Sequence, residues 1–154
     1  MFINLVNFWD FVGLFILVAG FIIGLGAVVV IDFHGFLGRK SAYWTEATTR
    51  THKVTKPLIW MGTMMILIGG FLFYRNSMFW PIPAFHFVIT AALIINGFFL
   101  SFKVSPFMLQ REKEGKSGEL LPKEWQRKIM VSLFFSDLGW WSAVAILVYQ
   151  LTKI

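Results

Sequence analysis

Two imidazoles and one carboxylate stand out in a chain that is otherwise largely apolar. His34 closes the first of four long apolar stretches, and His52 precedes the second. Two imidazoles on neighbouring helices are what axial ligation of haem b requires, and their nitrogens with Asp32 could hold a divalent metal. The other reading open at this point is that His34 donates a hydrogen bond to a nearby carbonyl while His52 is a solvated loop residue. His86, just past Pro83, is expected at the opposite membrane surface, too far away for a three-histidine site. Asp137 is the only charge in residues 129–150. At 1.5 Å per residue it lies about 12 Å below the nearer boundary. An ionised carboxylate there is costly, so it must be protonated or paired. Asn96, midway along the third stretch, is one expected partner, and the indoles of Trp140 and Trp141 are others. Such a pair is either a proton or cation relay or a helix-to-helix clasp worth about 0.6 kcal/mol.

Several chemistries are excluded. There is no Cys, hence no disulfide, thiolate nucleophile, Cys-ligated iron–sulfur cluster or covalently attached c-type haem. No Ser–His–Asp arrangement, glycine-rich phosphate loop or paired carboxylate site occurs, so hydrolase and kinase chemistry have no support and no catalytic residues are expected.

The elements that position these residues follow from the charge layout. Residues 11–31, 57–74 and 79–102 carry no charge at all. Each is close to the roughly 20 residues that span a hydrocarbon core. Of 14 Lys and Arg, all but Arg75 and Lys153 lie in residues 38–56 and 103–128. The positive-inside rule makes both basic loops cytoplasmic and both termini external. The expected fold is all-α: an integral membrane four-helix bundle, one domain over residues 1–154, in the cell membrane, specifically a bacterial inner membrane. Residues 1–5 lack the basic n-region of a cleaved signal peptide, so the first stretch is expected to remain as a helix. Trp9, Trp80 and Tyr149 fall at the outer boundary and Trp44, Trp60 and Trp125 at the inner one, as an aromatic belt predicts. Residues 41–56 read as an interfacial helix in the first cytoplasmic loop, with Pro57 opening the second span. Pro106 reads as the end of the third.

Packing faces are also legible. Asp10, Leu17, Gly24 and Ile31 are seven apart, as are Gly13, Gly20, Ala27 and His34, and the two rows interleave into one a/d seam. Small residues on a seam let backbones approach closely. Gly62 and Gly69 form the matching face of the second span. His86, Thr90, Leu93, Gly97 and Ser101 share a face of the third, and Ser132, Ser136, Gly139 and Ala143 one of the fourth. Asp137 lies about 100° from Ser136 and so points off that face. A glycine seam and a separate Asp137 face do not obviously both bury in one small bundle, so a homo-oligomer or other membrane subunits are expected as partners. The +6 net charge flanks helices, which implies anionic lipid headgroups and not nucleic acid.

Three segments carry a resemblance: residues 24–33 (GLGAVVVIDF), 55–62 (TKPLIWMG) and 95–100 (INGFFL). Together they resemble a group of small uncharacterised bacterial multi-pass membrane proteins, over about the first two-thirds of the chain. More distantly, the layout is similar to the four-helix membrane group of copper-resistance D proteins and small haem-dependent protoporphyrinogen oxidases. That resemblance implies His34 as a haem-site residue, although the early first-span histidine of that group is replaced by Asn7-Phe8-Trp9-Asp10. Three functional expectations follow. The chain is a non-catalytic subunit or scaffold of a membrane complex, a haem- or metal-binding redox protein using His34 and His52, or a proton or cation conductor using Asp137 and Asn96.

Overall fold

The computed structural model describes residues 7–77 and 81–152. The readings made for residues 1–5, Trp80 and Lys153 lie outside them. The chain forms α1 (Phe8–Gly38), α2 (Ala42–Tyr74), α3 (Pro81–Phe99), a π-helical turn (Leu100–Val104), α4 (Ser105–Lys113) and α5 (Lys123–Leu151). Four helical stretches are long and apolar enough to cross a membrane: α1, α2, Pro81–Lys113 as one unit, and α5. The described residues contain no strand. The all-α four-helix bundle follows directly.

The closest packing is between α1 and α2. A Cβ on Gly13 would sit 2.6 Å from the Phe73 backbone nitrogen, and one on Gly62 would sit 2.5 Å from Cα of Gly24. Gly69 meets the backbone of Leu17 still more closely. Backbone therefore lies on backbone along the predicted seam, which only glycine allows. The hairpin between the two helices is short. Ser41 caps α2 by accepting from the Trp44 amide at 3.4 Å, and the Thr45 hydroxyl donates to the Gly38 carbonyl at 2.8 Å. Leu17, Phe21, Val28, Ile66, Trp140, Ala143 and Leu147 form the apolar core, which joins α1, α2 and α5. The small-residue face of α5 holds too: Ser132, Ser136 and Ala143 are buried, and a Cβ on Gly139 would meet Leu93 of α3 at 2.7 Å.

Both prolines behave differently from the sequence expectation. No separate interfacial helix exists in residues 41–56; that segment is the first part of α2, which runs unbroken through Pro57. Its polar residues tolerate a helix against protein because they bond to their own turns. Thr45, Thr48, Thr49, Thr55 and Thr63 each donate to the carbonyl four residues back. Likewise Pro106 does not end the third span. It has no N–H, and its ring presses on the carbonyl of the preceding turn. The wider π-helical turn just before it absorbs the conflict, and α4 starts with Pro106 in its first turn. Gly115, at φ +73°, then stops α4 in the left-handed region that glycine adopts without strain.

The glycine seam and Asp137 do not compete for separate faces. The seam lies on α2, and Asp137 turns its Oδ1 atom into the same bundle. The packing conflict that suggested a partner is therefore resolved within one chain.

Candidate functional site

The basic end of the bundle encloses a cavity of about 110 Å3 to which every helix contributes. It runs from Thr63 and Trp140 at mid-bundle to Arg39 and Gln126 at the basic end. On α1 the lining positions Val28, Ile31, Asp32 and Gly35 are spaced three and four apart, so they form one helical face. On α2, Thr45, Thr48, His52, Lys56 and Thr63 line it. The π-helical turn supplies Ser101, whose hydroxyl accepts from the Trp60 indole at 3.0 Å and whose carbonyl accepts from Lys56 at 3.5 Å. Such turns recur at functional sites because they free backbone carbonyls from the regular ladder.

The wall is held from outside. Lys53 of α2 bonds Glu112 of α4 at 2.8 Å. The Phe107 and Trp125 rings stack at 4.0 Å and tie α4 to α5. Arg111 donates to the carbonyls of Lys116, Glu119 and Leu120, which folds the α4–α5 connection across the basic end.

Inside this wall the polar groups are unevenly satisfied. Asp32 is 8 % exposed, lines the cavity, and its Oδ2 has no protein hydrogen-bond partner. The half-buried His52 also lines it, and its Nε2 is buried without a partner. Asp137 of α5 does not line this cavity, but its Oδ1 is likewise buried without a partner. Buried polar atoms are ordinarily bonded, and orphaned ones cluster where function requires them. One carboxylate and one imidazole therefore face a single cavity at the basic end of the bundle without protein partners for these atoms. Chemically, that set can bind and release protons, or hold water that does.

Several predicted site residues are placed elsewhere. Asn96 lines the cavity, but its partner is Ser132, not Asp137: the Ser132 hydroxyl donates to its Oδ1 at 2.6 Å, and its amide donates to the Ser132 carbonyl at 3.1 Å. The Trp140 ring is buried in the core while Trp141 is exposed, and neither bonds Asp137 Oδ1. Asp32 does not pair with Arg39, Arg50 or Lys53; Arg50 bonds Glu46 instead. Asp10 pairs with Arg75 at 2.9 Å at the far end. His86 lies in the half of the bundle away from the basic end, as expected, but is 3 % exposed and packed inside it.

His34 and His52 do not share the cavity. His34 Nδ1 bonds the Val30 carbonyl at 2.7 Å, and its ring meets the edge of Trp44 at 5.2 Å. The α1 surface beside Gly24, which a porphyrin would need, is filled by the Trp140 ring and the Gly62 backbone. The 110 Å3 cavity is well below the roughly 300–1,000 Å3 of ordinary cofactor sites. These residues do not fit a haem in this arrangement. Nor do the described residues contain three grouped His, Asp or Glu able to hold a metal ion.

Sequence reasoning raised Asp32 as a metal ligand beside His34 and His52, and did not foresee it as the buried carboxylate of this cavity. The predicted seam carried His34 inward, whereas the face of α1 that lines the cavity is Val28, Ile31, Asp32 and Gly35, with His34 outside it. No family model, curated protein or solved structure matches the chain.

Proposed function

We propose that this protein crosses a bacterial inner membrane four times, basic end in the cytoplasm and termini outside, and that its cytoplasmic cavity binds and passes protons. The observation that carries the reading is the buried, unpartnered Asp32 carboxylate lining a cavity with an unpartnered His52. One water needs about 10–15 Å3 of such space, so 110 Å3 suits a small cluster of waters better than an organic ligand. Lys56 and Arg39 line the same cavity. A proton can pass between Asp32, His52 and water in this space by changing which group is protonated. Intramembrane carboxylates are functional suspects by default, and proton relays are among the roles they fill.

Reconstitution into liposomes with a trapped pH dye tests this. Wild-type protein is expected to collapse an imposed pH gradient, and Asp32→Asn, which keeps the shape and removes the titrating group, to slow it at least tenfold. Equal rates for the two would overturn the reading. The topology has its own test in a chain free of Cys. Cysteines at Ser41 and Ser117 should react with an impermeant reagent only from the cytoplasmic side, and one at Ser77 only from outside.

A second reading, a subunit in a membrane complex or homo-oligomer, draws support from α3. Phe85, Val88, Ile95 and Phe98 form a large exposed apolar face on it, and it is the least covered of the four spans. Cross-linking from Val88→Cys in native membranes would give a dimer or a mixed product if that face is occupied by protein.

A further inference from the structure

The half of the bundle away from the basic end holds a second polar group that the cavity does not use. His86 is 3 % exposed. Its Nδ1 and the hydroxyl of the buried Tyr74 share a hydrogen bond at 3.1 Å, and its Nε2 has no protein partner. The two residues, with Thr90, Leu17 and Ile66, line a separate cavity of about 10 Å3, which is the space of about one water. The hydroxyl of Thr90 is committed to the His86 carbonyl at 2.9 Å. Tyr74 is thus the titratable side chain facing His86 from α2. From α1 it meets the apolar ring of Phe21, and α5 brings Trp140 against the other side of that ring. The Asp10–Arg75 ion pair is the nearest described charge pair towards that end.

Two rings, Phe21 and Trp140, lie in succession between this histidine and the larger cavity. Phe21 stacks on the His86 ring at 5.9 Å with an interplanar angle of 9°. Its ring also meets Trp140 edge-on at 6.2 Å and 82°, and Trp140 lines the Asp32 cavity. The order through the molecule is therefore Tyr74–His86, Phe21, Trp140, then Asp32 and His52.

We propose that His86 is the outward-side proton station of the path whose inward station is Asp32, and that the Phe21 ring is the barrier between them. This rests on the proton-passing reading of the Asp32 cavity. His86 takes a proton at Nε2 and becomes imidazolium. When the Phe21 ring rotates aside and the Trp140 edge behind it shifts, water connects the two cavities, the proton leaves Nε2, and the Asp32 carboxylate accepts it to become a neutral acid. Release from Asp32 to cytoplasmic water restores both groups, so one proton crosses and no covalent bond between heavy atoms changes. In the tautomer whose Nδ1–H donates to the Tyr74 hydroxyl oxygen, the Nε2 lone pair is free, which makes Nε2 the exchanging atom.

The liposome assay decides it with two variants. His86→Asn keeps a group able to hydrogen-bond Tyr74 but cannot carry the proton; it should slow flux at least tenfold in protein whose helicity and melting match wild type. Phe21→Leu keeps the core apolar and thins the barrier; it should speed flux severalfold, and the gain should vanish when combined with Asp32→Asn. Should His86→Asn not fold, the Phe21→Leu pair of measurements still decides. Asp32-dependent flux that neither variant alters overturns the outward station and the barrier while leaving the inner site standing. Absence of wild-type flux overturns the inner-site reading itself, and this one with it.

Discussion

Gly62→Val is expected to abolish the native bundle in detergent. The Cβ alone would lie 2.5 Å from Cα and 2.6 Å from the backbone nitrogen of Gly24, and 2.8 Å from the Gly20 carbonyl oxygen. Backbone cannot rotate away as a side chain can, so α1 and α2 must separate along their whole length. Overpacking in cores ordinarily costs about 1–3 kcal/mol, and more where the neighbour cannot move; a loss at the upper end or beyond is expected. The control is Gly26, where an added Cβ meets nothing within 4 Å. There Gly→Ala should stabilise α1 by about 0.5–1 kcal/mol, because glycine in a helix is the more disordered residue when unfolded. Opposite signs for the two glycines, measured as retained helicity during SDS titration, are the expected result. Equal effects would mean that α1 and α2 do not pack by backbone contact.

That seam was legible because a heptad row of small residues has few explanations in an apolar helix. Gly13, Gly20 and Gly24 on α1, and Gly62 and Gly69 on α2, stand in the observed contact. So does the third-span face, where His86, Thr90 and Ser101 are buried. What stayed hidden depended on tertiary context. Pro57 and Pro106 are strong local breakers, yet a threonine-bonded helix carries one and a π-helical turn absorbs the other. Histidine chemistry pulled attention to His34, whose ring is occupied by its own helix at Val30. Asp32 entered as a metal ligand beside the two imidazoles, and the three-dimensional wall of α2, α4 and α5 is what makes it a buried group. Asp137 was singled out on burial cost alone, correctly as an anomaly, but with Asn96 as the wrong partner.

Trp140→Ala should produce the largest loss from any single side chain. The ring is buried in the core, fills the notch left by Gly24, meets Phe21 edge-on and lines the Asp32 cavity. Truncating a buried tryptophan costs about 3–5 kcal/mol when the surroundings cannot collapse, and the rigid α1–α2 pair leaves little freedom to do so. The contact can be isolated by a double-mutant cycle. Gly24→Ala alone should destabilise, because its methyl would overlap the Trp140 ring. In the Trp140→Ala background the same methyl enters space the ring has vacated, so its cost should fall or change sign. A coupling of about 1 kcal/mol or more is expected between residues in such contact. Strict additivity would place Trp140 away from Gly24 and reopen that surface to a larger ligand. Function should move in the other direction. Removing the ring joins the Asp32 cavity to the edge of Phe21, so Trp140→Ala protein that stays folded should pass protons faster than wild type, even as its stability falls.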